Sequence, residues 1–371
     1  MKKIICAHLY NDFSGSPLVL ANAVKVFLEE GNTVEIISSE SEGFLSGLPV
    51  KKYFVPYSFT SNSIWRLVLF MINQCRMFFK VIQLRKESAI IYVNTLLPFG
   101  AALAGKLTGQ EVVYHIHEIS LRPYYFKFFL KKIAQFTASR AIYVSNYLKE
   151  TEDLKGVPAT TVYNALSDEF VQTTDQFRNL NPIQSVPFTI LMLCSLKKYK
   201  GVDAFITIAT NLPSYQFNLV LNATKEEIRH YFKDVILPRN IVIYPQQREV
   251  HPFYQEANLV LNLSKPTEWV ETFGMTLLEA MHYGLPVIAP PIGGPTEVVQ
   301  DGRNGYLIDS EDMLSIMIRI NELARNFQLY KEFSEVSLEL TNSFNKHNFQ
   351  QALMQVIDVD STIPNGDLIL S

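Results

Sequence analysis

Short runs rich in Ile, Val and Tyr alternate with helix-patterned stretches along this chain, pause at a polar segment, and then resume. KKIICAHL, NTVEIIS, AIIYVN, EVVYHIH and RAIYVS precede the pause; FTILMLCS, FNLVLNA, NIVIYP, NLVLNLS and LPVIAPP follow it. Strands separated by helices predict a parallel sheet with helices on both faces. The pause, ALSDEFVQTTDQFRNLNPIQSVP, is polar and poorly periodic and reads as an inter-domain connection. The pattern therefore predicts two α/β domains, residues 1–165 and 188–344, joined by a linker at 166–187. A C-terminal helix and tail, 345–371, is left free to return to the first domain. Ligands of such sheets sit outside the carboxyl ends of the strands, so the cleft between the domains is the expected site.

Composition agrees with two cores: the chain has 371 residues, 48% of them hydrophobic. Three cysteines, Cys6, Cys75 and Cys194, lie far apart in apolar segments, which argues for a reducing compartment and against a disulfide framework. The start MKKIICAHLYND has too short an apolar run for a secretory signal and reads as a first strand. A long uncharged stretch, Ser88 to Gly105, is interrupted by Asn94, Pro98 and Gly100, so it predicts strand, loop and helix start rather than a membrane span. A cytoplasmic chain without transmembrane segments is expected. Residues 1–165 carry 18 Lys/Arg against 12 Asp/Glu, whereas residues 166–371 carry 15 against 24. That asymmetry predicts different partners for the two halves, with no nucleic acid among them.

Three stretches concentrate the chemistry. In ETFGMTLLEAMHYG, Glu271 and Glu279 stand eight residues apart with Gly274 between them, and MTLLEAMHY predicts a helix stopped by Gly284. The amides of Phe273, Gly274 and Met275 then become helix-start donors suited to an anion or hydroxyl, and Gly274 permits close approach. One carboxylate at each end of such a segment, with donors between, suits a sugar and a ribose joined by a diphosphate; a solvated amphipathic helix is the plainer alternative. CSLKKYKGVDAF places Lys197, Lys198 and Lys200 before Gly201 and a helix, where a cation could neutralise a diphosphate without a metal. NDFSGSPLVL places Gly15 at a helix start, with Ser16 as the expected N-cap, Pro17 in the first turn and Gly31 as the stop.

Together, VETFGMTLLEAMHYGLPVIA and GGPTEVVQDGRNGYLI closely resemble the donor-binding region of glycosyltransferase family 4, retaining enzymes of the GT-B fold, in which two Rossmann-like domains turn parallel sheets towards an inter-domain cleft. The likeness extends along most of the chain, more weakly before Ala165. It implies that Glu271 contacts the donor sugar, that Glu279 holds the ribose hydroxyls, and that the amides of Phe273 to Met275 lie near sugar and phosphate. It implies that Lys200 holds the diphosphate, while Ser195 stands where the family has arginine and leaves Lys197 or Lys198 to supply that charge. Gly15 is what remains of a glycine-rich turn near phosphate or acceptor. In YHIHEIS, His117 matches a histidine facing the donor sugar and His115 reads as structural. Asn222 and Ala223 depart from the family's glycines, and IYPQQREV matches a loop lining the nucleotide base. The donor is then a nucleoside diphosphate sugar, the acceptor a saccharide or lipid-linked molecule bound by the first domain, and no metal or other cofactor is expected. His115 and His117 share a strand face, but no further ligands accompany them, and the DVD at Asp358–Asp360 lies in the tail.

SIWRLVLFMINQCRMFFKVIQLRK predicts an amphipathic helix whose Arg66, Asn73, Arg76, Lys80 and Gln83 share one arc. LRPYYFKFFLKKIAQF is again aromatic and basic. Residues 64–86 and 121–136 could thus rest on an anionic membrane, or could simply be helices packed on the sheet with a cationic edge. A sugar-nucleotide epimerase of the same fold and a non-catalytic, membrane-associated binding subunit are the competing functions. The first lacks a recognisable acid/base set, and the second has no reason to keep Glu271, Glu279 and Lys200 together. A dehydrogenase is disfavoured because no G-x-G-x-x-G follows the first strand.

Overall fold

A computed structural model describes residues 1–57, 60, 62–84, 88–178 and 187–358. The latter part of the linker, the end of the 64–86 segment, and the tail with most of its DVD lie outside the described residues. The first domain is built on β1 (Lys3–Ala7), β2 (Thr33–Ser38), β3 (Lys51–Phe54), β4 (Ala89–Asn94), β5 (Glu111–Ile116), β6 (Arg140–Tyr143) and β7 (Ala159–Thr161). The second is built on β8 (Thr189–Ser195), β9 (Gln216–Asn222), β10 (Ile241–Tyr244), β11 (Leu259–Leu261), β12 (Val287–Ala289) and β13 (Gly305–Leu307). Their orders are β3-β2-β1-β4-β5-β6-β7 and β10-β9-β8-β11-β12-β13, with every pairing parallel. Each order reverses once, at β1/β4 and at β8/β11, and these reversals open a crevice at the carboxyl ends.

Central strands are apolar on both faces, as helices on both sides require: β4 is buried throughout. The strands the sequence did not signal are short or polar: KKYF of β3 is half exposed, ATT of β7 has no buried residue, and GYL of β13 has three residues. The first helix begins at Gly15 rather than after Ser16. Ser14 stands at its N-cap, and its hydroxyl binds Asp12 Oδ1 instead of capping. The segment read as an irregular connection contains a helix, Asp168–Phe177, whose start is capped by Ser167 accepting from the Phe170 amide at 3.2 Å.

Helices Ser63–Leu84, Phe99–Leu107 and Tyr124–Thr137 lie in a row over one face of the first sheet. The first of these has the length and mean hydropathy, 1.4, that crossing a membrane would need, yet Phe70, Met77 and Val81 are buried in the domain. Its wheel is turned from the expected orientation. Asn73 points inward, donating to the Val55 and Pro56 carbonyls at 3.3 Å, and Gln74 accepts from the Gly100 amide at 3.0 Å. A Cβ on Gly100 would meet the Gln74 carbonyl oxygen, so the two helices touch backbone to backbone. What faces out is therefore apolar: Ile64, Trp65, Leu67, Met71, Ile72 and Phe79.

Helix Lys346–Asp358 packs Phe349, Leu353, Val356 and Ile357 on the first domain beside Val24 and Phe27. Lys346 Nζ reaches both Glu29 (2.8 Å) and Asp168 (2.6 Å), and Lys2 Nζ donates to the Ile357 carbonyl at 2.6 Å.

Candidate active site

The carboxyl ends of β8 and β11 bring Lys200 and Glu271 together: Nζ donates to Oε2 at 2.7 Å, with both side chains mostly buried. Burial alone would raise the Glu271 carboxyl, but the Lys200 ammonium, Asn262 and the Thr272 amide hold it below its ordinary value. Burial likewise opposes the charge on Lys200, and Glu271 more than compensates. The pair is ionised.

Backbone geometry forces this meeting. Gly201 has φ +78°, and a Cβ there would strike the Leu263 carbonyl oxygen, so only glycine lets the Lys200 turn lie on the end of β11. Lys265 N donates to the Tyr199 carbonyl at 2.8 Å, fastening the same two loops, and Tyr199 stacks on Trp269 at 5.1 Å. Gly293 and Gly294 sit against the backbone of Glu271–Phe273 with no room for a Cβ, and the Gly294 amide donates to the Glu271 carbonyl at 2.9 Å. Gly274, φ +100°, turns the chain into helix Met275–His282; the helix's first bond is Leu277 N to the Gly274 carbonyl at 3.0 Å, so the Met275 and Thr276 amides lie ahead of it. Phe273 is buried against Tyr163 and Phe344 at the domain junction.

Glu279, one turn into that helix, accepts from the Tyr254 hydroxyl at 2.5 Å. Burial pushes its carboxyl up to about 7 against that hydrogen bond. Tyr254 was not singled out from the sequence; a tyrosine inside HPFYQEA carries no motif of its own.

On the opposite wall, His117 Nε2 donates to Asn94 Oδ1 at 2.9 Å. The Asn94 amide nitrogen donates in turn to His8 Nδ1 (3.0 Å) and to the Ser16 carbonyl (3.1 Å). One asparagine thereby ties the ends of β1, β4 and β5 to the first helix, and these bonds set both histidine tautomers. Burial, with His115 and His8 nearby, holds His117 well below its usual value, so it is a neutral imidazole with Nδ1 left as an acceptor. His115 is fully buried with the Tyr92 hydroxyl at 2.6 Å from Nδ1. Thr95 follows with φ +77°, a conformation β-branched residues rarely adopt, held by its amide bond to the His115 carbonyl at 2.8 Å.

The remaining candidates lie apart from the ion pair. Gly15 is exposed and a Cβ there would meet nothing within 4 Å. Its loop reaches across the cleft, where Asn222 Nδ2 donates to the Phe13 carbonyl at 3.5 Å and Arg248 covers the Phe13 ring at 5.6 Å. Ser195 ends β8 opposite Asn222. Lys197 and Lys198 are exposed, and Lys197 lies close enough to Glu227 to depress that carboxyl, after the Thr224 cap. Among the described residues no group of His, Cys, Asp and Glu is arranged to hold a metal ion.

One contact pattern was invisible in the sequence. Glu297 accepts from the amides of Asn146 (2.9 Å) and Tyr147 (2.8 Å) and from the Tyr163 hydroxyl (2.7 Å), all on the first domain. Ser145 Oγ donates back to the Thr272 carbonyl at 2.7 Å. Its partners lie some 150 positions away, so no local signal announces it.

Two parallel sheets of seven and six strands facing one cleft define an α/β protein of the GT-B fold. Residues 173–338 match the family model of glycosyl transferases group 1. Full-length structural likeness is found to Anabaena HepE in complex with UDP and glucose (TM-score 0.78, 18% identity, 97% of this chain and 100% of that one). The lipopolysaccharide outer core galactosyltransferase WaaB gives a TM-score of 0.69 at 17% identity, covering 96% and 99%. In sequence, an uncharacterized 41.2 kDa protein from the cps region of Klebsiella pneumoniae is 26% identical over 202 residues, 53% of each chain. The N-acetyl-alpha-D-glucosaminyl L-malate synthase of Bacillus anthracis is 24% identical over 358 residues, 91% of this chain and 92% of that protein. The chain thus spans about half the length of the Klebsiella relative, and 10% of an Arabidopsis thaliana sucrose-phosphate synthase that it matches at 35% identity.

Proposed function

We propose that the chain transfers a sugar from a nucleoside diphosphate sugar to a saccharide or lipid-linked acceptor, with retention and without a metal, in polysaccharide or glycolipid assembly. The observation that carries this reading is the ionised Lys200–Glu271 pair, buried at the strand ends of the cleft beside free helix-start amides. Lys200 and those amides meet the charge that grows on the departing diphosphate as the sugar becomes oxocarbenium-like. Glu271 accepts from sugar hydroxyls, Glu279 from the ribose, and His117 offers Nδ1 to the sugar from the opposite wall. Closure of the domains keeps water from taking the acceptor's place. No side chain is assigned as a covalent nucleophile. UDP-glucose is the first donor to try, because the structurally similar Anabaena HepE was solved with UDP and with UDP-glucose.

The exposed Trp65, Leu67, Met71, Phe79, Tyr124, Tyr125, Phe128 and Phe136, interspersed with Arg76 and Lys132, support peripheral binding to the cytoplasmic face of a cell membrane.

Thermal shifts with UDP, GDP, ADP and CMP in EDTA test the donor site. A nucleotide at about 100 times its Kd stabilises by ~2.7 kcal/mol, at roughly 2–4 °C per kcal/mol for domains of this size. UDP is expected to shift the protein and Glu279→Ala to abolish the shift. A shift that needs a divalent ion would overturn metal independence, and no shift with any nucleotide would overturn the donor site.

A further inference from the structure

Between the two domains, one residue from Glu271, lies a pocket of about 360 Å³ that the donor assignment leaves unused. Its walls are Ser120, Arg122, Tyr124 and Lys127 of the first domain and Glu268 and Val270 of the second. The Val270 amide donates to Ser120 Oγ at 3.1 Å, so the pocket floor is built from both domains. Its size is at the lower end of small-ligand clefts, ~300–1,000 Å³.

The charges are unbalanced. Lys127 and Lys131 share a single carboxylate, Glu152, at 2.5 and 3.1 Å, while Glu268 leans towards Lys265 at 3.9 Å. Arg122 is exposed and makes a long contact, 3.4 Å, to the Thr267 carbonyl, which leaves most of its fork of donors to a ligand. Of the side chains lining the pocket, Arg122 and Lys127 are cationic and Glu268 is the one carboxylate, and helix Tyr124–Thr137 starts in the pocket wall, adding its positive end. The outer side of the same helix is Tyr125, Phe128, Phe129 and Phe136, all exposed.

We propose that this pocket is the acceptor subsite and that it takes a phosphate-bearing acceptor, with Arg122 binding the phosphate and the acceptor hydroxyl directed past Val270 towards Glu271; this rests on the glycosyltransferase reading above. Arg122 presents a planar fork matched to phosphate oxygens. The phosphate could belong to a lipid headgroup, its chains on the aromatic face of the helix, or to a soluble phosphate ester.

The full chain, saturated with UDP, is tested with sn-glycerol 1-phosphate by ligand-observed NMR. It is also sedimented with phosphatidylcholine vesicles with and without phosphatidylglycerol. Arg122→Ala and Arg122→Lys are run beside the wild type. Binding of glycerol phosphate that Arg122→Ala weakens on the order of tenfold and Arg122→Lys partly restores supports the subsite with a soluble source. Sedimentation only with the anionic vesicles, reduced about fivefold by Arg122→Ala, supports it with a lipid source. Binding that ignores Arg122, or vesicle binding that ignores lipid charge, overturns it, as does no binding in either arm. The UDP shift reports separately on the donor site: if it persists in Arg122→Ala while phosphate binding is absent from the wild type, this inference fails alone; if UDP itself does not bind, the donor reading fails.

Discussion

Glu279 and Glu271 are both largely enclosed, yet their carboxyls are driven in opposite directions, because only Glu271 has an ammonium beside it. The sign of the Glu279 shift makes a stability prediction. Its folded value, about 7, lies above the unfolded one, so the stabilisation belongs to the protonated form and is lost as pH rises from near 4.5 through 7. Glu279→Gln cannot ionise. Without nucleotide it should match the wild type near pH 5 and exceed it near pH 8, by on the order of 2 kcal/mol, when melting is followed across that range. Equal melting at both pH values would contradict the burial argument. For the ion pair, Lys200→Ala should lower sugar transfer by about 10²–10³-fold. Adding Glu271→Ala should cost much less than its effect alone, since each removal already breaks the pair. Full additivity of the two rate losses would count against a shared role.

At the scale of elements, the site is a matter of loops pressed together by glycines. In Gly294→Ala the new Cβ would collide with the Thr272 carbonyl and the Phe273 Cα, pushing the Glu271 loop away from Lys200. We expect a loss of about 1–3 kcal/mol, with a nucleotide shift reduced more than stability; Gly15→Ala, which meets nothing, should be nearly silent in melting. Apolar β-runs such as AIIYVN were legible because burial on both faces leaves an unbroken signature, and the fold class followed. KKYF, ATT and GYL were not, since short edge or half-exposed strands have no such pattern. The wheel of helix Ser63–Leu84 misled for a different reason. Periodicity assumes polar residues face water, whereas Asn73 and Gln74 find backbone partners inside. In the site, Lys200 and Glu271 could each be proposed from local spacing, but their pairing across 71 positions could not. Neither could the roles of Asn94 and Tyr254, which depend wholly on what the fold sets beside them.

For the whole molecule, Glu297 is where the two domains are fastened beside the cleft. Its carboxylate accepts three bonds from the first domain, two of them from amides at a helix start. Glu297→Ala should leave UDP affinity within a few-fold of wild type, since the donor groups lie elsewhere. Turnover should fall by about tenfold or more as closure loosens, with donor hydrolysis rising relative to transfer. Unchanged partition between water and acceptor would argue that the junction is held by the apolar contacts of Phe273, Tyr163 and Phe344 alone.

Helix Lys346–Asp358 lies on the first domain, with Ile357 within hydrogen-bonding reach of Lys2, so the second domain is topologically an insertion within the first. During synthesis the ribosome must therefore deliver every residue of the second domain before the first can cover Val24 and Phe27. A chain interrupted after Phe344 would carry the entire Lys200–Glu271 pair and still display a bare apolar face to chaperones and proteases. Such a shortened chain should be cut faster by an added protease than the full chain, whatever the state of its cleft.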